Sequence, residues 1–78
     1  MVEKMQQLVL GKFIKYKREL SGCSLNRFAI DAGIEPATLS RIENLKQDVK
    51  FMTLCKIAKN LEVSTSEFLA EFEKQIEI

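Results

Sequence analysis

The sequence predicts an all-α domain, and three observations carry that prediction. Apolar residues recur at three- and four-residue steps along most of the chain, the period of a helix with one buried face. One proline and three glycines in 78 residues leave few points at which helices must break. Within that background, residues 24–43, SLNRFAIDAGIEPATLSRIE, read as two short helices joined by a tight glycine turn.

The elements follow in order. A first helix is expected over 1–21, with Leu10, Phe13, Ile14, the stem of Lys17 and Leu20 as its buried stripe, and Gly22 as its end. Ser24 suits the N-cap of a second helix, where its hydroxyl accepts an N–H of the first turn. Leu25, Phe28, Ala29 and Ala32 then give the i, i+3, i+4, i+7 stripe of that helix. Gly33 stops it, because glycine reaches the left-handed conformation of a sharp turn without steric cost. Ile34 follows as a buried plug. Pro36 opens the third helix, where its missing N–H is no loss, and Ala37, Thr38, Leu39 and Ile42 carry it to Glu43.

A fourth helix is expected over about 51–61, with Phe51, Leu54, Ile57, Ala58 and Leu61 inward. Ser64 and Glu67 form a capping box ahead of a fifth helix and tail over about 65–78. There Phe68, Leu69, Phe72 and Ile76 recur at helical steps. The chain thus reads as a single domain over 1–78. Two short helices with a glycine turn, inside an all-helical domain, are the layout of a helix-turn-helix, whose second helix enters the DNA major groove.

Net charge is only +1, but its distribution is uneven. Ten basic residues stand against five acidic ones from Lys12 to Lys59, and two against six outside that span. A basic middle with an acidic tail fits a body that meets DNA and a separate C-terminal surface; solvated helix faces are the plainer account. Cys23 and Cys55 have neither zinc nor redox spacing and are expected to act as small buried hydrophobes. With no histidine in the chain, neither thiol has the usual base beside it. No catalytic residue, metal site or cofactor is expected. No apolar run approaches the roughly 18–20 residues of a membrane span and no signal peptide pattern is present, so a cytoplasmic location is expected.

The chain resembles the Cro/C1-type, XRE-like helix-turn-helix family. The resemblance runs from about Leu10 to Phe68, through G-x-S at Gly22–Ser24, F-A at Phe28–Ala29, A-G-I at Ala32–Ile34 and T-L-S-R-I-E at Thr38–Glu43. It continues through L-x-K-I-A-K-x-L at Leu54–Leu61, then V-S at Val63–Ser64 and Phe68–Leu69. It implies a five-helix, lambda-repressor-like DNA-binding domain with the helix-turn-helix at helices 2 and 3. Small stand-alone members of this kind include phage repressors and restriction–modification controller proteins.

The resemblance also implies roles for residues. Arg18 stands where the family carries an arginine that pairs with the glutamate ending the recognition helix, here Glu43. Glu35, Pro36, Ala37, Thr38 and Arg41 occupy base-reading positions; Arg41 alone can make the bidentate contact to guanine O6 and N7. Glu35 either accepts from a cytosine amino group or repels the phosphates. Ser24, Asn26, Arg27, Ser40, Asn44, Lys46, Gln47 and Lys50 are the candidate phosphate contacts, and Leu25 replaces the glutamine that commonly clamps a phosphate. Asn44–Leu45 stands where asparagine and glycine are usual, so the loop turns at Asn44 or helix 3 runs on.

The function expected is a sequence-specific regulator that binds double-stranded DNA as a homodimer on a two-fold-related operator. Phe68, Phe72 and Ile76 are the expected dimer anchors, with Glu71, Lys74 and Glu77 on the rim. Packing of this surface on helix 1 is the plainer alternative. A protein-interaction module, an antitoxin or anti-regulator holding a protein partner through helix 5, is the second class. The absence of strong readers at Glu35–Ala37 keeps it open.

Overall fold

A computed structural model describes the backbone of residues 2–76 and the side chains of 10–75. It contains five α-helices and, among the described residues, no strand: α1 Val2–Leu20, α2 Leu25–Ala32, α3 Pro36–Glu43, α4 Phe51–Asn60 and α5 Thr65–Ile76. Helix α1 packs on α3 and α5, α2 on α3 and α4, and α4 on α5. None of these helices is long and apolar enough to cross a membrane.

The local signals end the helices as their chemistry requires. Ser24 Oγ accepts the Arg27 N–H at 3.2 Å and caps α2. Gly33, at φ 78°, reverses the chain, and the Ile34 N–H closes on the Ala29 carbonyl at 2.8 Å. At α5 the Ser64 N–H donates to Glu67 Oε1 at 2.9 Å, and the Glu67 N–H returns to Ser64 Oγ at 3.1 Å. That reciprocal pair is a complete capping box.

Every helix with described core side chains sends residues to one shared core. Phe28, Phe68, Ile14, Leu39, Ile42 and Ile57 are its largest fully closed side chains. Each contributes about 1.5–3 kcal/mol by leaving water. The chain reversal at α5 lays Phe68 and Phe72 on Phe13, with ring centroids 5.2 Å and 5.5 Å away in tilted geometry. Tilted pairs at such distances suit the ring quadrupoles. Lys17 Nζ reaches Glu71 Oε2 at 2.8 Å and fastens α5 to α1 from outside.

Several sequence expectations need correction. Phe68 and Phe72, expected as dimer anchors, are 1% and 6% exposed within the protomer's own core. They fill the space between α1 and α5, so neither offers a surface to a second copy; the side chain of Ile76, with residues 77 and 78, lies outside the described residues. Leu20 and Phe51, assigned to buried stripes, are 63% and 66% exposed, the one at the last position of α1 and the other at the first of α4. Cys23 and Cys55 are half-buried rather than buried.

One position is unusual for a helix interior. Gly11 is buried in α1, and a Cβ built there would overlap the Ile42 carbonyl oxygen and meet Leu45 Cδ2 at 3.0 Å. The α1 backbone therefore rests directly on the end of α3. Glycine in a helix is less favourable than alanine by about 1 kcal/mol, and close approach is what it permits here.

Candidate nucleic-acid interface

Helix α3 is held from beneath and open above. Leu39, Ile42 and Glu43 are buried, whereas Ala37 and Arg41 face water with Thr38 half-buried between them. Positions 37 and 38 each neighbour position 41 on the helix surface, from four and three residues away. The face turned outward is thus the one carrying the expected base readers.

An ion pair anchors the far end of that helix. Arg18 Nε donates to Glu43 Oε2 at 2.7 Å and Nη2 to Oε1 at 3.0 Å, a two-pronged bridge from α1 to α3. Arg18 Nη1 also donates to the Cys23 carbonyl at 2.8 Å. Donation to the Glu43 carboxylate holds the Arg18 proton more tightly than in a free arginine, and burial opposes it less strongly. Arg18 is 8% and Glu43 3% exposed, and no buried side-chain polar atom among the described residues lacks a partner.

Beyond Glu43 the chain turns at Leu45, neither at Asn44 nor by running on. Leu45 takes φ 63°, the Lys46 N–H closes on the Arg41 carbonyl at 2.8 Å, and the Leu45 N–H on Ile42 at 3.1 Å. This is the left-handed close usually made by glycine, here made by a leucine. Asn44 stays at φ −93° and spends its amide on Ser40, with Nδ2 2.9 Å from the carbonyl and 3.2 Å from Oγ.

The reversal brings Gln47 back beside α3. Arg41 Nε donates to Gln47 Oε1 at 2.7 Å, and Nη2 donates to Thr38 Oγ1 at 3.3 Å. Thr38, Arg41 and Gln47 therefore form one cluster, and Ser40 with Asn44 a second. Glu35 is exposed at the N-cap of α3, where its side chain makes no capping bond; Pro36 beside it is half-buried. Asn26, Lys46 and Lys50 are exposed. Arg27, also exposed, lies 3.3 Å from Asp31 one turn along α2. Such exposed pairs are weak and yield readily to another anion.

Three features of this region escaped the sequence reading. Gly11 had a signal, a glycine inside an apolar helical stripe, which marks a close backbone approach. The Arg41–Gln47 bond had none, because it depends on where the loop turns. Neither did the 3.4 Å bond from Lys56 Nζ to the Gly33 carbonyl, which ties α4 to the turn between α2 and α3.

The Helix-turn-helix family model HTH_3 matches residues 14–68. The chain belongs to this family, the XRE-like class of DNA-binding transcription regulators. None of the curated proteins matches it. Solved structures similar to it include the restriction-modification controller protein C.AhdI from Aeromonas hydrophila, with TM-score 0.78 and 18% identity, covering 87% of this chain and 99% of that one. A point mutant of the restriction-modification controller protein C.Esp1396I is similar at TM-score 0.79 and 27% identity, over 91% of this chain and 89% of that one. An HTH_3 family transcriptional regulator from Vibrio cholerae is similar at TM-score 0.79 and 32% identity; the match covers 94% of this chain and 41% of the longer one.

Proposed function

We propose that the protein is a sequence-specific regulator acting in the cytoplasm, which sets α3 into the major groove of a two-fold-related operator as a homodimer. The observation that carries this reading is the division of α3. Its inner side is locked by Leu39, Ile42 and the Arg18–Glu43 pair, and its outer side presents Ala37, Thr38 and Arg41. Thr38 and Arg41 have donors for base edges, and Ala37 suits a thymine methyl. Ser24, Asn26, Arg27, Lys46 and Lys50 flank that helix in the chain and are the phosphate contacts, which position the protein without reading sequence. Ser40 and Asn44 contribute less, because the Asn44 amide is already engaged with Ser40.

Likeness to a controller protein at 27% identity and to a transcriptional regulator at 32% supports the reading. One helix reads only a few base pairs, and a dimer doubles them with half-sites about 34 Å apart. Since Phe68 and Phe72 are used internally, the apolar area for the two-fold contact falls to exposed residues such as Phe51 and Met52. Glu35 at the mouth of α3 favours a second reading, an interaction module without DNA.

A titration against a random duplex pool, with sequencing of the bound fraction, separates the two. The three cationic phosphate contacts per protomer, Arg27, Lys46 and Lys50, give a log–log salt slope on the order of −5 for the dimer. Lys46→Ala flattens that slope by about one to two units, equally for all sequences. Absence of binding to any duplex at low salt rejects the DNA reading.

A further inference from the structure

We infer that Gln47 is a positioning residue for Arg41: it aims the guanidinium at one base pair, and its main part in recognition is not a phosphate contact. The inference rests on the reading of α3 as the base-reading helix. A guanidinium holds five N–H donors in one rigid plane. Gln47 Oε1 takes the Nε donor at 2.7 Å and Thr38 Oγ1 takes one from Nη2 at 3.3 Å. Nε–H and the adjacent N–H of Nη2 belong to one edge of that plane. Among the described residues no acceptor is bonded to either donor of Nη1 or to the second of Nη2, and the edge away from Nε carries one N–H of each. That edge presents two parallel N–H groups, the fork that matches guanine O6 and N7.

The backbone makes this arrangement possible. Arg41 sits in the last turn of α3, and its own carbonyl accepts the Lys46 N–H across the Leu45 reversal. Gln47 is the next residue, so the turn returns it to the arginine six positions earlier. Arg41 is exposed, and an exposed arginine without such a brace samples many rotamers that binding must then freeze. Holding it beforehand removes part of that ordering cost. Leu45 has a second consequence in this light, since its left-handed backbone is what delivers Gln47.

The test compares Gln47→Ala and Gln47→Glu on a duplex selected from a random pool by the wild-type protein, and on its single-base variants. Gln47→Ala should reduce discrimination by roughly 2- to 12-fold, the ordering cost of one long side chain. The loss should fall at the base pair that Arg41→Ala also relaxes. In the Arg41→Ala background the same change should have no further effect on preference. Gln47→Glu still accepts the Nε–H, so it should keep the preference while weakening binding to every duplex through its charge near phosphates. Uniform loss in Gln47→Ala with preference intact overturns the inference in favour of a phosphate contact. Tighter binding would overturn it too, by showing that Gln47 restrains Arg41 from the base. If the wild type binds no duplex, the base-reading role of α3 falls first and this inference with it.

Discussion

Arg18 and Glu43, 25 residues apart in sequence, meet through two hydrogen bonds in an ion pair closed from water between α1 and α3. The pair joins the first helix to the last residue of the helix that would read DNA. Its attraction is largely offset by the loss of hydration of both charges. What it supplies is position: Glu43 can be buried only where Arg18 meets it.

Removing one partner should therefore be far worse than removing both. Arg18→Ala strands a buried carboxylate, and urea unfolding should read a loss of about 3–5 kcal/mol. Arg18→Met combined with Glu43→Leu should recover most of that loss. Equal destabilisation by the single and the double change would mean that packing, not charge, is what the pair provides.

Gly11→Ala opposes two effects of known sign. Alanine favours the helix by about 1 kcal/mol, but its Cβ would overlap the Ile42 carbonyl. Overpacking costs typically 1–3 kcal/mol, so the clash should win. A lower melting temperature is expected, together with weaker DNA binding as α3 is pushed outward. A raised melting temperature would show that α1 and α3 part easily.

Glu62 is exposed and held at φ 64°, where the Val63 N–H closes on the Ala58 carbonyl. A non-glycine residue is strained there by about 1–2 kcal/mol. Glycine returns part of the relief through its freer unfolded chain, about 0.4–1 kcal/mol. Glu62→Gly should stabilise by up to about 1 kcal/mol, which is roughly 4–8 °C in a domain of this size. Calorimetry showing no gain would place the strain elsewhere.

The capping box gives a pH dependence of definite sign. Hydrogen bonds from the Ser64 N–H and hydroxyl hold the Glu67 carboxyl below the usual glutamate range. A lowered folded pKa means that the unfolded chain takes up the proton first. The stabilisation is therefore complete above the ordinary value of about 4.3 and is lost as the pH falls through the lower folded value. Glu67→Gln should flatten the stability profile in that acid window and leave its shape at neutral pH unchanged. An unaltered acid limb would remove Glu67 as a contributor.

Features that depend on partners a few residues away were legible in the sequence. Helical periodicity, the Ser24 cap, the Gly33 reversal and the Ser64–Glu67 box all close within one or two turns, so their chemistry is present in the local string. That was enough for five helices and for the placing of α2 and α3. Arg18 and Glu43 were legible only through resemblance, because nothing local pairs residues 25 positions apart. Tertiary structure alone decided the rest. Phe72 became core rather than surface because α5 folds back onto Phe13. Leu20 and Phe51 have helical spacing but stand exposed at helix ends. Leu45 adopted the left-handed turn, against local preference, where it lies against the glycine that lets α1 rest on α3. From that turn followed the meeting of Gln47 with Arg41. Periodicity tells which face of a helix is apolar, but whether that face is buried depends on what the rest of the chain brings to it.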